Sequence, residues 1–392
     1  MGVVESTRRW RSLTGYIWSQ STNRHVVATR SFVDTRVSPW VTVISAAGVD
    51  APSIAYVGMP HGIIKVHQML EQRREALGAV TSARMRGGAD RTGLLRGGRL
   101  PDADLVAVAC SSAQVRMLPR RSALVLPFRL HVLAYTGDGE DGWRSRISKS
   151  ERRWSNRLRE LGSWALEVAE DSASFDYFYD RMHVPTMRAR HGERARSESR
   201  DTARECLFRH GVLAFVTHGR KRVAGMVCRW EPAERLLIVR LVGVLDGLQE
   251  HYENGAMRTA DHLLLEWASK MGVQHVDFGG TEPFLSQGIF RLKRKLGSRA
   301  IMARNHFGSL RLWWHARRDT PAVRDFLVAN PVVELVNDHR LRAVYFYDEG
   351  RPPRLDLART REGIDGYRTL DLDEFFSHRS QPIRASSEGT DE

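Results

Sequence analysis

The residue types that can move a proton or meet a developing negative charge recur between positions 252 and 295 of this 392-residue chain. An amine that is to act as a nucleophile must first lose a proton to a group within hydrogen-bond reach or one water away. Asp277, Glu282, Tyr252 and Glu253 are the acid/base candidates for that step. Asp277 ends a strand-like run, where a turn cap or an arginine pair would explain it equally well. Gly279 and Gly280 follow directly and would let a ligand approach the backbone closely, although a plain turn also accounts for them. Only six of the 60 Lys and Arg residues are lysines, and two of them, Lys293 and Lys295, fall within one helical turn. Lysine offers a compact ammonium that can give up its proton, which arginine does not. A solvated basic face shared with Arg291 and Arg294 is the competing explanation. His210, His218, His262 and His275 show no HExxH or other ligand spacing, so no metal is expected. Two further matches are coincidental: Gly137 to Gly142 fits GxGxxG but carries three carboxylates that would repel a pyrophosphate, and Asp277-Phe278-Gly279 lacks every other kinase element.

Composition narrows the class of protein that carries these groups. Hydrophobic residues make up 42% and charged residues 27%, which excludes both a disordered chain and a polytopic membrane protein. Net charge is +14, so RNA and other polyanions are candidate partners, although the arginine-rich skew of a GC-rich genome would give the same balance. Cys110, Cys206 and Cys228 form no CxxC pair, and no secretory or membrane-spanning segment is visible, so a cytoplasmic protein is expected.

The elements that would position these residues follow from periodicity. The apolar run Trp40 to Ser45, a helical stretch from Gly62 to about Val80, and strand-like Leu105 to Cys110 and Leu124 to Tyr135 give the first part an α/β pattern. The Gly- and Arg-rich stretch Met85 to Leu100 reads as a mobile loop. A strongly basic helix over Ser145 to Leu161 includes Arg152, Arg153 and Arg157, which could face solvent or contact nucleic acid. A second basic helix is expected over 188–204. Leu213 to Val216, Val223 to Trp230 and Leu236 to Leu245 predict three antiparallel strands. Apolar spacing then predicts a helix from Ala256 to Met271, a strand over Gln274 to Phe278 and a helix from Gln287 to Leu296. The expected domains are 1–162, 163–350 and a polar extension over 351–392 ending in a disordered tail.

Strand, strand, strand, helix, strand, helix over residues 212–297 is the core order of the GNAT acyltransferase fold. With His210-Gly211, Val223-Ala224-Gly225, Val276 to Phe284 and Gly288 to Gly297, the chain resembles the Fem-type (FemABX-like, CelD/BcsL-like) branch. That resemblance implies an α/β (α+β mixed sheet) fold of tandem GNAT-like domains, the first divergent. It implies amide formation on a small amine or peptide acceptor, with aminoacyl-tRNA or acyl-CoA as donor and no tightly bound cofactor. Lys293 matches the family's Phe-Lys position, with Leu292 in place of the Phe, and is the expected oxyanion-stabilising cation. A donor at such an oxygen is worth about 3 to 4 kcal/mol of barrier, so Lys293→Ala is expected to abolish turnover with little loss of folding. Tyr252, Asn254, Gly279, Gly280, Phe290 and Lys295 are the expected substrate-binding residues. The [QR]xxGx[GA] stretch of CoA-binding GNATs is replaced by Asp246 to Ala256, with glutamates intruding. This departure favours aminoacyl-tRNA over CoA, with an acetyl-CoA-dependent enzyme acting on a saccharide or natural-product amine, or a non-catalytic RNA-binding module, as the alternatives.

Overall fold

The computed structural model describes residues 2–48, 50–161, 163–192, 197–286, 293, 295–357 and 363–377. Sixteen strands are described: β1 (Val41–Ala47), β2 (Ile54–Gly58), β3 (Thr81–Gly88), β4 (Leu105–Ser111), β5 (Ala123–Pro127), β6 (Leu130–Tyr135), β7 (Trp164–Ala169), β8 (Gly211–His218), β9 (Lys221–Glu231), β10 (Leu236–Val244), β11 (His275–Thr281), β12 (Arg299–Met302), β13 (Leu310–Ala316), β14 (Val332–Val336), β15 (Arg340–Tyr347) and β16 (Tyr367–Asp371). They build a six-stranded sheet in the order β3-β1-β2-β4-β13-β5, a seven-stranded sheet in the order β12-β6-β11-β10-β9-β8-β7, and a small sheet β14-β15-β16. The fold is the expected α/β class with mixed sheets. Each large sheet sets one parallel pair, β2 with β4 and β10 with β11, among antiparallel neighbours.

The halves exchange strands across the boundary expected near residue 162. Pro127 ends β5 in the first sheet, and after Phe128 and Arg129 the chain enters β6 in the second. The apolar run Leu124 to Tyr135 is therefore two strands in two sheets, because periodicity alone does not show where an apolar run changes partners. In return β13 inserts between β4 and the edge strand β5 of the first sheet, with Trp313 and Trp314 almost fully buried.

Three other expectations change. Part of the expected loop is β3, an exposed edge strand paired with β1, followed by a short helix Arg91–Leu95; backbone pairing alone suffices at an edge, without apolar side chains. The 188–204 stretch is not one helix: Val184–His191 is separated from Arg200–Thr202 and a π turn Ala203–Leu207. Arg200 and Arg204 there pair with Asp176 and Asp180 instead of standing free for a polyanion. The 351–392 extension contributes β16, parallel to β15, and Leu372 packs in the first sheet's core; residues 378–392 lie outside the described residues.

Two cores flank the seven-stranded sheet. The amphipathic helix Ala256–Lys270 places Ala260, Leu264 and Ala268 against Val276 and Phe278 on one face. Phe175, Phe178 and Met182 pack against Phe215 and Val227 on the other. Alternation along a strand sends successive side chains to opposite faces, so Phe278 looks toward that helix and Asp277 away from it.

Candidate active site

The parallel strands β10 and β11 pair only over Leu236–Ile238 and His275–Asp277. Beyond that point β10 continues against β9 to Val244, and β11 continues against β6 to Thr281. The sheet thus parts between its central strands, leaving backbone polar groups available to a ligand. A bulge lies at the parting on each strand, one at Arg240 and one between Asp277 and Gly280. Bulges re-aim side chains and recur beside active sites. Gly279 takes φ +91, a conformation glycine adopts without steric cost. Its N–H donates to Asp277 Oδ1 at 2.8 Å.

Asp277 is buried, and its other oxygen lies 2.6 Å from His131 Nδ1. A carboxylate at this distance holds the proton on Nδ1 and leaves Nε2 as the basic nitrogen. Asp277 thus orients the imidazole of His131 on β6, an arrangement that can serve a base. The sequence did carry a signal for His131: a histidine inside an apolar strand, at a position alternate to Val132 and Ala134.

His131 and Asp277 line a cavity of about 340 Å³. Tyr16 and Gln20, on the helix Gly2–Gln20, close one side, and Ile238, Arg240, Arg229 and Arg304 contribute to the rest. Each guanidinium is tethered: Arg229 to Glu231 at 3.1 Å, Arg240 to Glu198 at 3.2 Å, and Arg304 to Glu234. Tyr16 lies between two of them, 5.7 Å from Arg229 and 5.7 Å from Arg240. Burial raises the Tyr16 hydroxyl pKa against the pull of those charges. Arg240 also had a sequence signature, as the one charged side chain in the apolar run of β10.

Glu282 accepts from Arg129 Nη1 at 2.7 Å, and Arg129 Nη2 donates to Gly280 O at 2.9 Å. A Cβ on Gly280 would come within 2.0 Å of Arg129 Nε, so this glycine admits a guanidinium rather than a substrate. Lys65 lies beside this pair, and burial, reinforced by the Arg129 charge, lowers its pKa to about 7.

Lys293 lies on the other face of the sheet. Its Nζ donates to Asp261 Oδ1 at 2.6 Å and sits 4.1 Å from the Phe278 ring centroid. Since Phe278 and Asp277 point to opposite faces, the structure does not bring Lys293 and Asp277 together. Tyr252 packs beneath Arg190, whose Cζ is 4.6 Å from the ring, while Asn254 and Lys295 are exposed. None of the three lines the cavity. Phe290 lies outside the described residues. Arg152 donates to Ser145 O at 3.1 Å, and Arg153 and Arg157 are exposed on the helix Lys149–Leu161.

That helix packs over the opening of Ala256–Lys270, where free backbone amides would otherwise offer an anion site. Gly255 caps Ala256–Lys270 in the left-handed region at φ +80, and the Trp154 ring stands 2.7 Å from where its Cβ would be. Glu151 accepts from Arg258 at 2.8 and 2.9 Å and lies 2.9 Å from His262 Nε2. An aromatic ring and a carboxylate thus stand at the opening of the helix, in place of an anion cradle.

No protein-family model matches the sequence, and no curated protein matches it. Among solved structures the chain is similar to L-PGS from Bacillus licheniformis, at 12% identity over 73% of this chain and 84% of that one with a TM-score of 0.35. It is similar to FemX at 9% identity, over 70% of this chain and 83% of that one, with a TM-score of 0.35. A GCN5-related N-acetyltransferase from Anabaena variabilis is similar at 10% identity, over 85% of this chain and 74% of that one, with a TM-score of 0.26. At such values the chemistry of the site has to come from its own residues.

Proposed function

We propose that the protein is a GNAT-type N-acyltransferase that forms an amide on an amine held in the cavity beside His131, using aminoacyl-tRNA as donor. The observation that carries the reading is the His131–Asp277 pair at the parting of β10 and β11. In this reaction His131 Nε2 takes a proton from the acceptor ammonium, and the amine nitrogen attacks the ester carbonyl. The tetrahedral oxyanion collapses to the amide as the C–O bond to the ribose breaks, protonated His131 gives its proton to the leaving ribose oxygen, and the attacking nitrogen loses its remaining extra proton to solvent. Asp277 keeps the imidazole in the required tautomer and stabilises its charged form. The covered N-terminus of Ala256–Lys270 favours a donor that does not place a pyrophosphate there. Arg153 and Arg157 would contact the tRNA backbone, and that binding should weaken steeply with salt.

The test is a parallel titration with CoA, acetyl-CoA, charged tRNA and uncharged tRNA at low and moderate salt, followed by a transfer assay with amine acceptors. Preference for charged tRNA with no CoA response is expected. Saturable CoA binding with salt-labile tRNA contact would replace this donor by acyl-CoA. Tight RNA binding without turnover on any donor would make the chain a binding module. His131→Gln should lower transfer by about 10²- to 10⁴-fold, the usual contribution of a positioned base, and undiminished transfer would remove the dyad from the mechanism.

A further inference from the structure

Three side chains from separate segments meet outside the His131–Asp277 dyad. Asp34 lies in the π turn Val33–Val37, His61 in the turn after β2, and His306 at the start of the 3-10 turn His306–Ser309. Their ligand atoms all lie within 4.8 Å of one another. We propose that Asp34, His61 and His306 form a three-ligand site for a divalent first-row transition-metal ion such as Zn²⁺ or Fe²⁺.

Asp34 Oδ2 is 3.6 Å from His306 Nε2 and 3.9 Å from His61 Nε2. These separations are too long for hydrogen bonds. They suit atoms that share one ion, since bonds of about 2.0 to 2.2 Å place neighbouring ligands about 3 to 4 Å apart. Both Nε2 atoms are buried and have no hydrogen-bond partner among the described residues. Two imidazole nitrogens left without partners beside a buried carboxylate are costly, and one cation satisfies all three groups.

The surroundings are those of a ligand set. Arg30 donates to Asp34 Oδ2 at 3.0 Å, holding the carboxylate in place as an outer partner. The His61 ring packs against Phe128 and Phe307, which form an apolar wall. Side-chain exposure is 3% for Asp34, 4% for His306 and 26% for His61, so of the three only the His61 ring reaches the surface. Two imidazoles and one carboxylate select borderline transition metals over Mg²⁺ and Ca²⁺, and three protein ligands leave a coordination position open. Asn305, the residue before His306, lines the cavity of the dyad.

The test titrates the full-length, untagged, chelator-stripped protein with Zn²⁺ and with Co²⁺. One equivalent per chain is expected to bind, with visible Co²⁺ absorption bands of a low-coordinate site. His306→Ala and Asp34→Ala should each weaken binding at least about tenfold, whereas His218→Ala should leave it unchanged. His61→Cys should retain Co²⁺ and add a thiolate-to-metal charge-transfer band in the near ultraviolet. That band identifies the ligand even where the alanine variants fail to fold. Absence of a saturable first equivalent, equal binding by a folded His306→Ala protein, or no new band in His61→Cys would each overturn the proposal.

Discussion

Individual residues acquire their roles from the face on which the strand places them. Lys293 and Asp277 were natural partners by type, yet one pairs with Asp261 beneath Phe278 and the other holds His131 above the parting of the sheet. Lys293→Met would leave Asp261, whose side chain is 9% exposed, without its cation. Removing one partner of such a buried pair costs about 3 kcal/mol or more, so urea denaturation should show a loss of stability of that order. Transfer measured per folded molecule should persist, contrary to the expectation from sequence, and abolished transfer by a fully folded variant would restore Lys293 to the mechanism. Lys65 carries the complementary prediction. Burial and Arg129 lower its folded pKa to about 7 from 10.5, so the unfolded chain binds the extra proton between those values. The cost is therefore fully present below about pH 7, and stability rises with pH from there to about 10.5. Denaturation at pH 6.5 and at pH 9 should show this slope in the wild type and a flatter one in Lys65→Met.

At the scale of elements, the helix Lys149–Leu161 shows how a basic composition can conceal a structural contact. Its arginines drew attention as a polyanion surface, but one of its two acidic residues, Glu151, fixes the helix to Ala256–Lys270 through Arg258 and His262. Burial opposes ionisation of Glu151, and the hydrogen bonds from His262 and Arg258 outweigh it, holding the carboxyl at about 2. A folded pKa below the unfolded one contributes stability that is present above about pH 4.5 and is lost as pH falls through about 2. Thermal melts between pH 5 and pH 2 should show this decline in the wild type and a weaker one in Glu151→Gln. The same variant should melt lower at pH 7, by the amount set by a loss of about 3 kcal/mol. It should also free the N-terminus of Ala256–Lys270, so a CoA response that appears only in Glu151→Gln would show that this helix is what excludes the nucleotide.

At the scale of the whole molecule, strand exchange joins the two halves. β13 is the fifth of six strands in the first sheet, although it follows every strand of the second sheet in sequence. Chain 1–303 lacks it, and its β4 and β5 would lose their shared neighbour and the burial of Trp313 and Trp314. That fragment should show no cooperative melt by circular dichroism, and a cooperative melt would mean that the first half folds without its partner's strand. Several features were determined by the sequence alone, because they rest on local periodicity and turn residues. The strands from Leu213 to Val244, the helix from Ala256, the strand at Val276 and the α/β class all follow from apolar alternation and from Gly272 as a stop. Asp277 was legible as a chemical residue for the same local reason, being a carboxylate at the end of an apolar strand. Its partner was not, because His131 is 146 positions away and reaches it only through the crossing from β5 to β6. The separation of Lys293 from Asp277, the covering of Gly255 by Trp154 and the meeting of Asp34, His61 and His306 were likewise decided by tertiary packing. Each depends on which strand lies beside which, and that choice is made by the summed burial of distant segments rather than by any local pattern.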